Sequence, residues 1–357
     1  MTTAPGGPAP RRVTIKDVAA RAGVSIGAVS LAANNRPGVS DTTRARILAA
    51  AADLGWQPSQ AAKALSGTGG RTDTIGLVIA RPARQLGLEP FYMEFISGIE
   101  SILEEQSCSL LLHLVRDTER EIDIQREWWQ SRRISGSILV DLQDDDPRIP
   151  ALERIGLPAV AVGHPHLAGT FPSVWTDDAA AIEEAVRYLA ALGHRRICRV
   201  GGNPHLGHTA IRTAALEATT RELGLDDARS VPTDYSGEQG ARATRTLLAS
   251  PNPPTAIIYD NDIMAVAGLS VAAEMGLSVP ADLSLIAWDD SQLCQLTHPT
   301  LSAMSHDVFG FGAEAARRLF AVIDRATPAS GPAPRPVLVP RGSSARAAST
   351  GRADAPP

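Results

Sequence analysis

The chain has 357 residues, 44% of them hydrophobic and 20% charged, with a formal net charge of −5. That composition suits a soluble globular protein of two or three domains and excludes a disordered or collagenous chain. The most apolar stretches, such as 75–80 and 256–259, are far shorter than the ~20 residues of a membrane-spanning helix, and no apolar run follows the positive charges near the N-terminus, so neither a membrane span nor a secretory signal is expected.

Cys108, Cys198 and Cys294 have neither disulfide-framework nor metal-ligand spacing. They read as free thiols in a reducing cytoplasm, and no metal or cofactor is expected. The charge is unevenly placed. Residues 1–71 hold nine Lys and Arg against three Asp, a net +6, whereas the rest holds 25 basic and 36 acidic side chains, a net −11. A basic head on an acidic body suggests that only the head meets a polyanion. Charge alone leaves DNA, RNA and a membrane surface open.

In chain order, residues 1–12 are expected to be unordered. Thr14 is placed to cap a first helix, with Asp17 in its first turn, Ile15, Val18, Ala19 and Ala22 on one face, and Gly23 as its stop. Ser25 caps a second helix over 26–33. Ser40 or Asp41 caps a third, whose Ile47, Ala51 and Leu54 share a face before Gly55. Two helices joined by a Gly-containing turn make a helix-turn-helix, whose second helix enters the major groove with its N-terminal side chains at base edges. Ser25, Ile26, Gly27 and Ser30 fall on the outward part of that helix. A three-helix unit of this size also suits a protein-interaction module.

Pro58 disfavours continuing the third helix through Gln57, and the run from Ser59 to Gly67 can start a short new helix. So short a helix is not stable alone in water, so this one should fold only on binding. Residues 67–73 read as a flexible linker.

From 74 onward, strand and helix patterns alternate. Apolar runs at 74–80, 109–115, 136–141 and 158–162 are separated by helical patterns at 92–106 and 120–131. A second series has strands at 196–200, 255–259 and 283–288 with helical patterns at 179–192, 209–223, 238–249 and 262–275. Two sets of βα units predict two doubly wound parallel sheets with ligand sites at the strands' carboxyl ends. Neither a GxGxxG nor a GxxxxGK[ST] motif supports nucleotide binding.

The strings TIKDVAARAGVS, AVS with Asn34, GVSDTTRARI and LGWQP resemble the DNA-binding domain of the LacI/GalR family of bacterial transcription regulators. The resemblance implies base-reading positions at Ile26, Gly27 and Leu31, with Thr14, Ser25, Ser30, Asn34 and Lys63 completing the expected DNA contacts. It also implies a hinge helix that wedges Leu65 between base steps of the minor groove; read from the residues alone, Leu65 equally suits a linker leucine packed on the body. Relatives with longer polar or Arg side chains at the reading positions would make more polar readout than this chain.

The strings IGLVIA, PFYMEFISGIE, DTEREIDIQREWW, RISGSILV, LGHRRI, NDIMAVAGL, SLIAWDD, HPTLSAM and VPRGS resemble the effector-binding core of the same family, which shares the fold of periplasmic sugar-binding proteins. The resemblance implies a core over 74–342 of two subdomains, with boundaries near 163–175 and 290–302. It implies effector contacts at Phe91, Tyr92, Trp175, His208, Arg212, Asn261 and Asp289. Where many sugar-binding members have an Asp after the fourth strand, this chain has Gly163 followed by His164, which is expected to substitute as a polar contact.

The residues alone also allow blander readings. Asp289 and Asp290 can cap a turn, Arg212 can sit on a solvated helix face, and Trp128 and Trp129 can seal a helix against a sheet. His164, His166 and His205 read as loop histidines, and Asp144 to Asp146 as a solvated loop. Residues 337–339 suit an edge strand, and 343–357 are expected to be an unordered tail.

The sequence therefore predicts a cytoplasmic, nucleoid-associated, ligand-responsive repressor, not an enzyme. Its expected partners are a near-palindromic double-stranded operator, a small carbohydrate-like effector and a second copy of itself in a dimer or a tetramer, with no membrane. A transport solute-binding protein would lack the basic head, and an enzyme would need a GxSxG elbow, a metal cluster or a P-loop.

Overall fold

The computed structural model of the chain describes residues 13–57, 72–82, 89–326, 328 and 330–348. The expected unordered N-terminus at 1–12, the hinge helix with Lys63 and Leu65, and the end of the tail from 349 lie outside them. The chain divides into two units, Met1–Asp73 and Thr74–Pro357.

The first unit is a small helical head. Helix α1 (Ile15–Ala22) begins at Thr14, whose backbone N–H and hydroxyl both donate to the Asp17 carboxylate at 2.8 and 2.7 Å. It ends at Gly23, which takes the left-handed conformation (φ 63°) a side chain would oppose. Helix α2 (Ile26–Ala33) is capped by Ser25 and α3 (Asp41–Asp53) by Ser40, each hydroxyl accepting a backbone N–H three residues on. Val18, Ala19, Ala22, Val29, Ala32, Ile47, Ala50 and Ala51 form the core. Arg44 of α3 donates to the carbonyls of Ala32 and Arg36, tying α3 to the end of α2.

The second unit holds two six-stranded sheets in two lobes. The first lobe contains β1 (Thr74–Ile79), α4 (Pro90–Glu105), β2 (Ser109–Leu114), α5 (Thr118–Gln130), β3 (Gly136–Leu139), α6 (Arg148–Arg154), β4 (Ala159–Val162) and β5 (Ser173–Trp175). The second lobe contains α7 (Asp178–Ala191), β6 (Ile197–Gly201), α8 (Gly207–Glu222), β7 (Ser230–Pro232), α9 (Gly237–Leu248), β8 (Ala256–Tyr259), α10 (Asp262–Glu274), β9 (Ser284–Trp288), α11 (Gln292–Leu296) and β10 (Ser302–Ser305). The chain then returns to the first lobe with α12 (Val308–Ile323) and the two-residue β11 (Gly331–Pro332), and re-enters the second with β12 (Val337–Val339).

Strand orders are β11-β5-β4-β3-β1-β2 and β12-β10-β9-β8-β6-β7. All pairs are parallel except β10 with β12, in which Ala303 faces Val339. Central strands β3, β6, β8 and β9 are buried along their whole length, which explains their unbroken apolar runs.

Three features differ from the sequence expectation. The chain crosses between lobes near 175–178, 305–308 and 332–337, because β10 stays in the second sheet and β12 returns to it; the second boundary expected at 290–302 is therefore displaced, and a third crossing was not foreseen. Helix α12 was not expected at all, yet it supplies Val308, Phe311, Ala313, Ala315, Ala316, Leu319 and Phe320 to the first lobe's core. The tail is not unordered from 343. Ser343 is fully buried and its carbonyl accepts the Leu285 N–H, while Ala345 pairs with Ser284 and the Ala347 N–H reaches Leu192 O. Serine hydroxyls and backbone, rather than apolar area, hold this segment, which is why composition understated it.

Candidate effector cleft and DNA-reading helix

The carboxyl ends of both sheets open onto a cavity of about 110 Å³. One water needs roughly 10–15 Å³ on this measure, so the space suits several waters or one organic molecule. Its walls are residues that directly follow strands. Arg81 comes after β1, Asp141 after β3, Gly163 after β4 and Trp175 ends β5; Tyr235, Asp260, Asp289 and His306 follow β7, β8, β9 and β10. Phe91 and Tyr92 enter from the start of α4, and His208 and Arg212 from α8.

In the first lobe, Arg81 lies between two carboxylates. Its Nε and Nη2 donate to Asp141 at 2.7 and 3.0 Å, and its Nη1 donates to both oxygens of Glu89 at 2.9 and 2.8 Å. The Tyr92 hydroxyl adds a third donor to Asp141 at 2.7 Å. Burial works against the charge on Asp141, but Arg81 and these hydrogen bonds hold its carboxyl down at about 2. Burial pushes Glu89 the other way, to about 7, although Arg81 opposes it. The Arg81 guanidinium also stands 4.8 Å from the ring centre of Tyr235, so it links the lobes across the cavity.

In the second lobe, Arg212 pairs with Asp178 at 2.7 Å and stacks 3.9 Å above the ring of Trp288. Burial works against its charge, but Asp178 and Asp260 keep it firmly protonated. Asp260 is gripped from behind by the fully buried Arg199 and by the Gly202 N–H at 2.9 Å. The His208 ring is 2.6 Å from the Tyr235 hydroxyl, and burial, then Arg212, lowers its basicity. His306 Nε2 donates to Asp289 at 2.9 Å, while the buried Nδ1 has no hydrogen-bond partner among the described residues. Burial lifts the Asp262 carboxyl to about 6.

The cavity therefore brings together Phe91, Tyr92, Trp175, His208, Arg212, Asn261 and Asp289. His164 is not among its lining residues. Its ring meets Trp175 edge-on at 4.7 Å and its Nδ1 contacts His166, so it buttresses the wall rather than forming it. Asn261 is engaged by the fold, accepting the Met264 N–H and donating to Tyr235 O. Asp290 is the structural half of its acidic pair, bound by Arg341 at 2.6 and 2.9 Å. Arg81, Glu89, Asp141, Asp178, Tyr235, Asp260 and His306 are further wall residues that the sequence reading did not include; for Arg81, Asp141 and Asp260 the usable signal is their place within two residues of an apolar run's end. Trp128 is buried beneath α5 in the first lobe and Trp129 donates to Ile155 O, as a seal requires.

In the head, Ser25, Ile26 and Gly27 are exposed at the start of α2, while Ser30, Leu31 and Asn34 are half-buried. The Asn34 amide donates to Ser30 O at 2.8 Å, and Thr14 is engaged with Asp17.

Comparison with known proteins separates the two units. Residues 14–59 match the model for bacterial regulatory proteins of the lacI family, and 186–344 match a periplasmic binding protein-like domain. The HTH-type transcriptional regulator AglR of Rhizobium meliloti (strain 1021) is 31% identical over 282 residues, covering 78% of each chain. The chain belongs to the LacI family. As a LacI-family member it is a DNA-binding transcriptional regulator with a helix-turn-helix head and a periplasmic-binding-protein-like body. It is similar to the solved transcriptional regulator CelR–cellobiose complex (27% identity, 93% of this chain and 100% of that one, TM-score 0.69). It is also similar to the lac repressor dimer bound to operator and the anti-inducer ONPF (25% identity, 94% and 100%, TM-score 0.80). Among the described residues, no helix is long and apolar enough to cross a membrane.

Proposed function

We propose that this LacI-family regulator is a repressor that binds a near-palindromic operator as a homodimer and is controlled by a small polyhydroxylated, sugar-like effector in the cleft. The observation that carries this reading is the make-up of the cavity wall. Trp175 and Phe91 line it with aromatic rings, and the Arg81–Asp141 and Arg212–Asp178 pairs bring fixed donors and acceptors to the same wall. A sugar has an apolar C–H face and a rim of hydroxyls, which these groups complement. The relative CelR was solved with cellobiose, which supports the same class of ligand here. An effector touching both lobes favours one arrangement of them over another, and so changes the affinity of the DNA-binding form.

The test is a thermal melt of the full chain against neutral mono- and disaccharides, followed by operator titrations at fixed salt with each stabilising sugar. A ligand at ~100 times its dissociation constant should stabilise by ~2.7 kcal/mol. Stabilisation without any change in operator affinity would leave a binding protein and remove the regulatory reading. Operator binding that no small molecule alters would remove the effector.

A further inference from the structure

The reading edge of α2 presents one large apolar side chain beside the short hydroxyls of Ser25 and Ser30. Ile26 is 45% exposed, one of the few large apolar side chains on the head's surface. Gly27 follows it, and a Cβ added there would meet only Ser25 Oγ at 3.8 Å, so no packing contact excludes a side chain. Glycine is also a poor helix former, which leaves close approach of another surface as the reason it suits this position. Among the polar neighbours, Ser25 Oγ accepts the Ala28 N–H at 3.2 Å and the Asn34 amide donates to the backbone carbonyl of Ser30; a single serine hydroxyl cannot make a bidentate contact with a base. Leu31 is half-buried, its Cδ1 lying where a Cβ on Gly38 would meet it at 3.2 Å.

In the major groove, thymine is the base whose edge carries a methyl group, and apolar side chains read it by contact. We propose that Ile26 reads the 5-methyl group of a thymine in the operator, with Gly27 letting the helix backbone come close enough for the contact. Sequence preference at that position is then carried by a methyl contact and not by a bidentate hydrogen bond. The inference rests on the reading that α2 enters a major groove.

The experiment uses the full chain and a duplex that this chain itself enriches from a random-sequence pool. Each thymine is replaced singly by deoxyuridine, which removes only the methyl group. One replacement per half-site should weaken binding about fourfold, the equivalent of ~0.8 kcal/mol. Ile26→Ala should bind the thymine duplex at least that much more weakly and no longer distinguish thymine from deoxyuridine there. Its melting temperature should be unchanged, since the side chain is exposed. Wild-type binding that is indifferent to deoxyuridine at every position overturns the proposal, as does discrimination that survives in Ile26→Ala. If no sequence is enriched at all, the operator reading falls and takes this inference with it.

Discussion

Two arginines in the first lobe, Arg81 half-buried and Arg148 buried, each face two carboxylates, and one positive charge cannot neutralise both. Arg81 serves Asp141 and Glu89; Arg148 serves Asp146 at 2.7 Å and Glu121 at 2.9 Å. In each group burial opposes charge on the carboxylates. The Asp nevertheless titrates low, under its arginine's hydrogen bonds and charge, while the Glu is lifted by burial to about 7. A carboxylate whose folded value is raised contributes stability that is present below its unfolded value near 4.5 and lost as pH rises through about 7. The loss is on the order of 3 kcal/mol for a shift of this size. Melts at pH 5 and pH 7.5 should therefore differ less for Glu121→Gln than for the wild type, because the variant keeps the shape and removes the titration. Equal pH dependence in both would remove Glu121 from this account. Arg212 carries two roles at once, since its loss strands Asp178 in a buried site and opens the stack on Trp288. Arg212→Ala should cost roughly 3 kcal/mol in stability as well as the effector response. Asp289→Asn, which keeps a partner for His306, should melt within about 1 kcal/mol of wild type yet respond more weakly to the effector. Urea melts beside effector titrations separate the two patterns.

Among the elements, the helix pair α4 and α12 sets the tightest constraint. A Cβ on Gly98 would lie 1.9 Å from the Phe309 carbonyl oxygen, and one on Gly312 would lie 2.1 Å from that of Phe95. Both obstacles are backbone, so neither helix can yield by rotating a side chain. Gly98→Ala or Gly312→Ala should destabilise the body by about 2 kcal/mol or more, read from a denaturant midpoint. Glycines also explain why α12 is hard to see in the sequence. Gly310 and Gly312 interrupt its apolar pattern near the start, although the second is the residue that lets the helices touch. Long buried strands such as β1 and β9 were legible because both faces are covered and the run is unbroken. Ser173–Trp175, Ser230–Pro232 and Ser302–Ser305 were not, being three or four residues long and rich in Ser. The cleft was half legible for a similar reason. Phe91, Tyr92, Asn261 and Asp289 stand in recognisable strings, whereas the Arg81–Asp141 pair joins residues sixty positions apart that only the sheet order brings together.

At the scale of the whole molecule, charge and topology act separately. The net +6 of residues 1–71 against −11 for the rest places the phosphate-binding potential in one unit. Raising monovalent salt from 50 to 200 mM should lower operator affinity of the full chain on the order of a thousandfold if about six phosphates are neutralised per complex. A flat salt response would dissociate the basic head from DNA binding. Topology has a different consequence, which concerns the order in which the chain is made. The first lobe's core is completed by Val308, Phe311, Leu319 and Phe320, residues that leave the ribosome only after the whole of β6 to β10. Until then Phe95, Ile99 and Ile102 lack the helix that covers them, while the intervening second lobe already has every strand of its sheet except β12. The lobe translated first must wait, with part of its interior exposed, for a helix more than two hundred residues downstream, and the second lobe in turn is closed only by β12 and the buried Ser343, which follow that helix.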